Sequence, residues 1–537
     1  MSSSPVSEAA RRRTFAIISH PDAGKTTLTE KLLLYGGAVE EAGAVKARRG
    51  RRAATSDWME LERARGISIT STVLRFSYRD AVLNLLDTPG HRDFSEDTYR
   101  VLAAADCAVM VIDAAKGVEP QTVKLYEVCA VRGIPIVTFV NKLDRPGRDP
   151  LTVLDEIEER LGIRPTPVTW PVGIPGDLRG VIDRRDGTFT RFVRTARGAT
   201  RAPEEVVDAA IAAAEEGEAW SAAFEEAQLL DAVGADFDAD TFLGGKTTPL
   251  FAGSALTNFG VRHLLDALVD LAPSPAPAPD RLGARRPLDA PFSGLVFKVQ
   301  ANMDPRHRDR VAFVRVQSGT FRRGMTLVHV QTGRPFSTNY ATEVLADDRQ
   351  TIDEAYPGDV VGLVNAGGLR VGDSLFESEP VEFPALPSFA PEHFAQVRPA
   401  EVDRAKQFQR GLTQLEEEGV VQVLRDERTG DPVPVLAAVG PLQFEVAAHR
   451  LEHEFGARVE LFPTQHRFAR RTDPATADSL RHESGVRILT RTVDGALLAL
   501  FESPYRLDRI RRDHPDYVLE PLVGDPAAPV GDVVGRP

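Results

Sequence analysis

At roughly 100–200 residues per domain, a chain of 537 residues has room for about three or four domains. A hydrophobic fraction of 42% and a charged fraction of 27% fit ordinary packed cores, and no run of about 18 apolar residues suggests a membrane span. The net charge of −13 excludes a uniformly basic, nucleic-acid-coating surface, and two cysteines, Cys107 and Cys129, exclude a disulfide framework.

Both cysteines lie in apolar stretches and are expected as buried free thiols in a reducing compartment. Residues 1–10 carry no apolar leader, so a cytoplasmic, membrane-free protein is expected. Acidic residues concentrate between Glu204 and Asp240. Basic ones cluster at Lys46 to Arg52, Arg306 to Arg310 and Arg467 to Arg471. Each basic cluster is compatible with RNA contact or with a solvated face.

In chain order, apolar strands are predicted at 14–18, 81–86, 108–112, 135–140 and 249–252. Helices are predicted between and after them at 26–35, 98–105, 121–132, 150–161 and 261–271. This alternation predicts an α/β domain over 11–280, a parallel sheet with helices on both faces. An acidic, helix-prone stretch near 200–245 interrupts the rhythm and is expected as a solvated insertion. A proline-rich tract at 272–280 marks a boundary. Short strands with period-two alternation over 292–375 then predict a β-barrel domain at 281–386. Helices at 403–418 and 440–455 with strands at 420–424, 435–439 and 458–461 predict an α+β domain at 387–522. A Gly/Pro/Ala-rich tail at 523–537 is expected to be disordered.

Chemistry enters at the strand ends. Ser19, His20, Pro21, Asp22, Ala23, Gly24, Lys25 and Thr26 follow the first strand and open a helix. Such a loop turns successive backbone N–H groups toward phosphate oxygens, with Lys25 reaching the terminal phosphates and the Thr26 hydroxyl available to Mg²⁺. The strict pattern has glycine where Ser19 stands. Asp87, Thr88, Pro89, Gly90 and His91 end a second strand. There a carboxylate can hold Mg²⁺ through water, and the Gly90 N–H can sense a γ-phosphate. Asn141, Lys142, Leu143 and Asp144 end a third strand. The Asp144 carboxylate can accept from guanine N1–H and its 2-amino group, donors that adenine lacks. Ser254 and Ala255 end the last strand, where a loop can close over the purine. Arg65, Gly66, Ile67, Ser68, Ile69 and Thr70 lie between the first two segments. A hydroxyl from Ser68 or Thr70 closing on the metal only with γ-phosphate present would make an order–disorder switch. His91 is placed to orient the attacking water or to stabilise charge near it. GTP/GDP and Mg²⁺ are therefore the expected ligands.

Asp87 to His91, taken with Arg65-Gly-Ile-Ser-Ile69, resembles the translational GTPase family, of which elongation factor G is a member. Within it, the phosphate loop, the segments 297–305 and 308–313, and Val439-Gly-Pro-Leu-Gln-Phe444 are similar to the peptide chain release factor 3 family. The order of these segments holds from about 14 to 462. That resemblance implies a P-loop GTPase domain, a β-barrel and a smaller third domain. It also implies ribosome-stimulated GTP hydrolysis, with binding to ribosomal RNA and proteins after peptide release and departure of the codon-reading (class I) release factors. A monomer is expected in solution. Two alternatives stand beside it: an elongation factor G-like translocase or ribosome-protection GTPase, and a nucleotide-dependent binding module with little hydrolysis.

Overall fold

Both faces of the first strand, β1 (Arg12–Ser19), are apolar, and each meets a different core. Phe15 and Ile17 join one cluster, Ala16 and Ile18 the other, the signature of a strand sandwiched between two helical layers. The computed structural model describes residues 4–38, 72–89, 95–193, 201, 203–301, 310–345, 348–364, 368–384, 386, 390–426 and 433–522.

After β1 come β2 (Thr72–Tyr78), β3 (Ala81–Asp87), β4 (Cys107–Asp113), β5 (Ile136–Asn141) and β6 (Arg164–Pro167). Four further strands follow: β7 (Thr169–Ile174), β8 (Asp177–Asp183), β9 (Thr188–Phe192) and β10 (Glu204–Val207). β11 (Thr247–Ala252) then returns to the main sheet. That sheet has seven strands in the order β2-β3-β1-β4-β5-β11-β6. Its pairs are parallel except for β2, which runs antiparallel to β3. β2 joins by a tight hairpin turn at Arg79, which holds φ 51°. The helices Lys25–Tyr35 and Val261–Asp270 cover one face through Leu28, Leu32, Leu264 and Leu268. Pro120–Val131 and Pro150–Leu161 cover the other through Leu125, Cys129, Val153 and Ile157. Each such leucine or isoleucine, fully buried, contributes about 1.5–3 kcal/mol relative to exposure. Cys107 and Cys129 are buried free thiols, and burial pushes both thiol pKa values up, that of Cys129 to about 12.

Helices do occupy the acidic stretch, at Ala209–Glu216 and Glu218–Ala232. The antiparallel sheet β10-β9-β8-β7 before them was not anticipated. Its strands are short, and two of them are interrupted by Gly173 and Gly180, which weakens their period-two pattern in sequence.

Beyond the proline tract, eight antiparallel strands enclose the core of Val296, Val314, Phe321, Leu327, Val361 and Leu375, forming the β-barrel domain. A seven-stranded antiparallel sheet then carries the paired helices Ala405–Glu417 and Pro441–Phe455, the α+β domain. The tail 523–537 lies outside the described residues. Among the described residues no helix is long and apolar enough to cross a membrane.

The barrel seats on the α/β domain at the amino ends of its strands. Arg12 on β1 is 2% exposed and donates from Nε to Asp359 Oδ2 at 2.8 Å, with Asp359 fully buried. The Tyr356 ring lies 4.8 Å from the guanidinium. Thr14 Oγ1 and Asn84 Nδ2 donate to the Gly358 carbonyl at 2.7 and 3.2 Å. Gly358 holds φ 96°, and a Cβ there would collide with Pro275 Cγ, so only glycine fits this close approach. A second seam joins Arg315 of the barrel to the Ala104 carbonyl and to Asp106 Oδ1, the latter at 2.6 Å. Arg310 Nη1 donates to Glu417 Oε2 of the third domain at 2.6 Å.

Candidate functional site

In a parallel sheet, strands that run together also end together, and the loops leaving their carboxyl ends share one rim. β1, β3, β4, β5 and β11 here deliver Ser19, Asp87, Asp113, Asn141 and Ala252 to that rim. Register fixes the arrangement: Ile17 pairs with Asp87, and Asp113 with Asn141.

The loop after β1 turns on two left-handed residues, Asp22 at φ 66° and Gly24 at φ 104°. A Cβ on Gly24 would collide with Asn141 Nδ2, so this position excludes side chains on both counts. The helix Lys25–Tyr35 begins immediately after it. Its first N–H groups have no intrahelical acceptor, and its dipole adds positive potential at the same point. Lys25, 6% exposed, pairs through Nζ with Asp87 Oδ1. Thr26 is half-buried beside it. Thr88 Oγ1 donates to the Ile17 carbonyl at 2.6 Å, lacing β3 to β1. The buried Pro89 accepts from Thr98 Oγ1 at 3.4 Å. Ser19 is buried, and its hydroxyl has no hydrogen-bond partner among the described residues. His20 Nε2 lies 3.1 Å from Glu119 Oε1, next to the half-buried Pro21.

Asn141 joins three loops. Its Nδ2 donates to the Ala23 carbonyl at 2.8 Å, and its Oδ1 accepts from the Ala255 N–H at 2.8 Å. Lys142 adopts φ 70°, a left-handed conformation costing about 1–3 kcal/mol in a non-glycine residue. Contacts of its ammonium hold it there: Nζ donates to the Asp22 carbonyl at 2.5 Å and to Asp113 Oδ2 at 2.8 Å. The buried Leu143 donates its N–H to the Gly253 carbonyl at 3.2 Å. Ser254 is fully buried and exchanges backbone hydrogen bonds with Phe259 at 2.9 and 3.0 Å. Asp144 differs from all of these: its Oδ1 is buried with no hydrogen-bond partner among the described residues. Such a carboxylate oxygen costs free energy unless a donor reaches it, and the paired N–H donors of a guanine edge are of that kind.

The structure therefore brings together every described residue expected at the site: Ser19 to Thr26, Asp87 to Pro89, Asn141 to Asp144, and Ser254 with Ala255. Gly90, His91 and the segment Arg65, Gly66, Ile67, Ser68, Ile69 and Thr70 lie outside the described residues, as does the basic cluster Lys46 to Arg52. Residues 306–309 of the second basic cluster also lie outside the described residues; in the third, Arg470 is buried and Phe468 packs into a core, leaving Arg467 and Arg471 exposed. Sequence reasoning missed Asp113. Burial works to raise its carboxyl pKa, but the Lys142 ammonium and the Ala115 N–H outweigh it and hold the group ionised below its ordinary value. The signal was present: Asp113 ends an apolar strand just as Asn141 does. Glu119 was missed as well, because it lies in a loop with no motif of its own.

A doubly covered parallel sheet with a glycine-lysine loop, an Asp-Thr-Pro strand end and an Asn-Lys-Leu-Asp strand end defines a P-loop GTPase. Residues 10–274 match the family model "Elongation factor Tu GTP binding domain", 291–378 match "Elongation factor G domain 2", and 383–511 match "Class II release factor RF3, C-terminal domain". The chain is 50% identical over 532 residues to peptide chain release factor 3 of Microcystis aeruginosa, covering 98% of this chain and 96% of the relative. It is likewise 50% identical over 514 residues to that of Symbiobacterium thermophilum, covering 95% and 97%. A crystal structure of a Thermus thermophilus protein superposes with a TM-score of 0.66 at 27% identity, covering 84% of this chain and 67% of that one. The chain belongs to the peptide chain release factor 3 family. It is a guanine-nucleotide-binding GTPase of translation termination, and its function is ribosome-associated.

Proposed function

We propose that the carboxyl rim of the main sheet binds GTP and GDP, with each strand end in a separate role. The backbone N–H groups of residues 19–26 cradle the phosphates, and Lys25 exchanges Asp87 for the terminal phosphate oxygens. The freed Asp87 carboxylate, through water, and the Thr26 hydroxyl fit Mg²⁺, a hard cation that takes oxygen ligands. Ser68 is the switch ligand we assign to the same ion, with Thr70 as the competing hydroxyl. When bound, the ion neutralises charge on the phosphates. Asn141 and Lys142 tie the loops into one unit, Leu143 packs beneath them, and Asp144 accepts from the guanine edge. Ser254 and Ala255 close over the purine. Gly90 senses the γ-phosphate, residues 65–70 switch with it, and His91 orients the water for attack.

In this reading a cytoplasmic monomer of three units, 11–280, 281–386 and 387–522, binds the ribosome after peptide release. Its nucleotide cycle there drives dissociation and recycling of the class I release factors. The observation that supports the site is the Asp144 oxygen, without a hydrogen-bond partner among the described residues and carried on a loop that Asn141 locks to the phosphate cradle. The test is a reconstituted termination reaction that measures release-factor recycling and GTP turnover with and without ribosomes. His91→Ala should keep GTP affinity and lose most of the ribosome-stimulated turnover. Stimulation equal to wild type would remove His91 from catalysis, and an absence of ribosomal stimulation in the wild type would remove the enzyme reading.

A further inference from the structure

The four-stranded sheet β7–β10 has no part in the nucleotide reading above, yet side chains of β9 and β10 rest against the segment that follows Ser254 and Ala255. At the end of β9, Phe192 stacks on Phe259 with ring centroids 4.7 Å apart and planes at 16°. Phe259 is 1% exposed, and its backbone exchanges both hydrogen bonds with Ser254. The adjoining helix is held by the same sheet: Arg262 pairs with Glu204 of β10, and Thr190 Oγ1 lies 3.3 Å from His263 Nε2. Arg201, just before β10, donates to the Leu34 carbonyl at 3.2 Å at the far end of the phosphate-loop helix.

An aromatic pair in stacked geometry resists sliding and tilting in a way that aliphatic contact does not. Any opening of the 254–255 loop must move Phe259, because the two backbones are bonded in both directions. Moving Phe259 in turn must break its stack on the antiparallel sheet. We propose that Phe192 and Phe259 are positioning residues for guanine nucleotide. The insertion sheet, through this stack, holds the purine loop closed and sets the rate at which nucleotide leaves. The inference rests on the reading of 141–144 and 254–255 as the base-binding segments.

The test uses the full chain and a fluorescent GDP analogue, displaced by excess unlabelled GDP. Phe192→Ala should speed release about fivefold, the scale of losing one aromatic pair. Turnover at saturating GTP with ribosomes should stay within about twofold of wild type, since no reacting atom has lost a contact. Phe192→Leu keeps the apolar volume without the ring face, and it should also release faster. It carries the test if the alanine variant does not fold. Release within about twofold of wild type in the folded variant overturns the proposal. So does faster release accompanied by matching losses of turnover and of nucleotide-free melting temperature, which would mean general loosening. Asp144→Asn, assayed by competition of GDP against XDP for the same analogue, separates the two layers. If it leaves guanine selectivity intact, the base-binding reading fails; if selectivity shifts while Phe192→Ala is silent, only the stack fails.

Discussion

Replacing Asn141 with alanine removes two buried hydrogen bonds at once. The side chain is 2% exposed and spans from the Ala23 carbonyl to the Ala255 N–H, both at 2.8 Å. Each partner left unsatisfied in a buried setting costs about 1–3 kcal/mol, so the pair costs about 2–6 kcal/mol. Water entering from the rim relieves part of this, and about 2 kcal/mol is a fair lower bound for the loss of loop alignment, or roughly thirtyfold in affinity. Equilibrium titration with a fluorescent GDP analogue reads that number directly. A parallel thermal melt of the nucleotide-free protein should show a drop of about 2–4 °C per kcal/mol lost from the α/β domain. Asn141→Asp should be no better, since a carboxylate cannot donate to the Ala23 carbonyl. An affinity within about threefold of wild type in Asn141→Ala would refute the claim that this side chain locks the phosphate and purine loops together.

Asp144→Asn presents an amide donor where guanine needs an acceptor, and should move selectivity toward xanthine nucleotides; competition binding with GDP and XDP decides, and an unchanged guanine preference contradicts the assignment. Asp359→Ala strands the buried Arg12 cation at the seam between barrel and α/β domain. With Glu8 still in reach at 2.7 Å, the loss should fall near the low end of the ~3–5 kcal/mol typical of a broken buried pair, and urea unfolding showing under about 1 kcal/mol would mean the seam is dispensable. Burial, with help from the neighbouring Arg262 cation, pushes the His263 imidazole pKa down to about 4. The unfolded chain titrates near 6.5 and therefore binds the extra proton first. Stability should be fully present above about pH 6.5 and fall toward pH 4 by up to about 3 kcal/mol. His263→Gln should flatten that limb in urea unfolding at pH 7 and 4.5, and an unaltered slope would assign the acid lability elsewhere.

Legibility in the sequence followed how local the deciding physics was. β4 and β5 are legible as mainly apolar runs, and β11 through its Leu250–Ala252 end, because a strand covered on both faces carries few polar residues. The phosphate loop was equally plain, since its lysine, glycine and helix start must be contiguous to act. Strand β6, at Arg164–Pro167, carries two prolines and charge at its edge, and no short-range pattern distinguishes it from a loop. β2 is amphipathic and joins antiparallel, against the parallel rhythm of the rest of the sheet. The sheet β7–β10 is obscured in the sequence because its strands are short and two of them carry glycine, at Gly173 and Gly180.

Chain order alone determined which chemical groups this protein places after which strands, because motif chemistry is written in residues a few positions apart. Only the tertiary structure decided that Asp113 braces Lys142, that Glu119 reaches His20, and that a barrel turn at Tyr356 to Asp359 caps the far end of β1. These pairings join residues 29, 99 and 347 positions apart by number (142 − 113, 119 − 20, 359 − 12). Such contacts depend on how the sheet closes and how domains dock, and no local propensity along the chain carries that information.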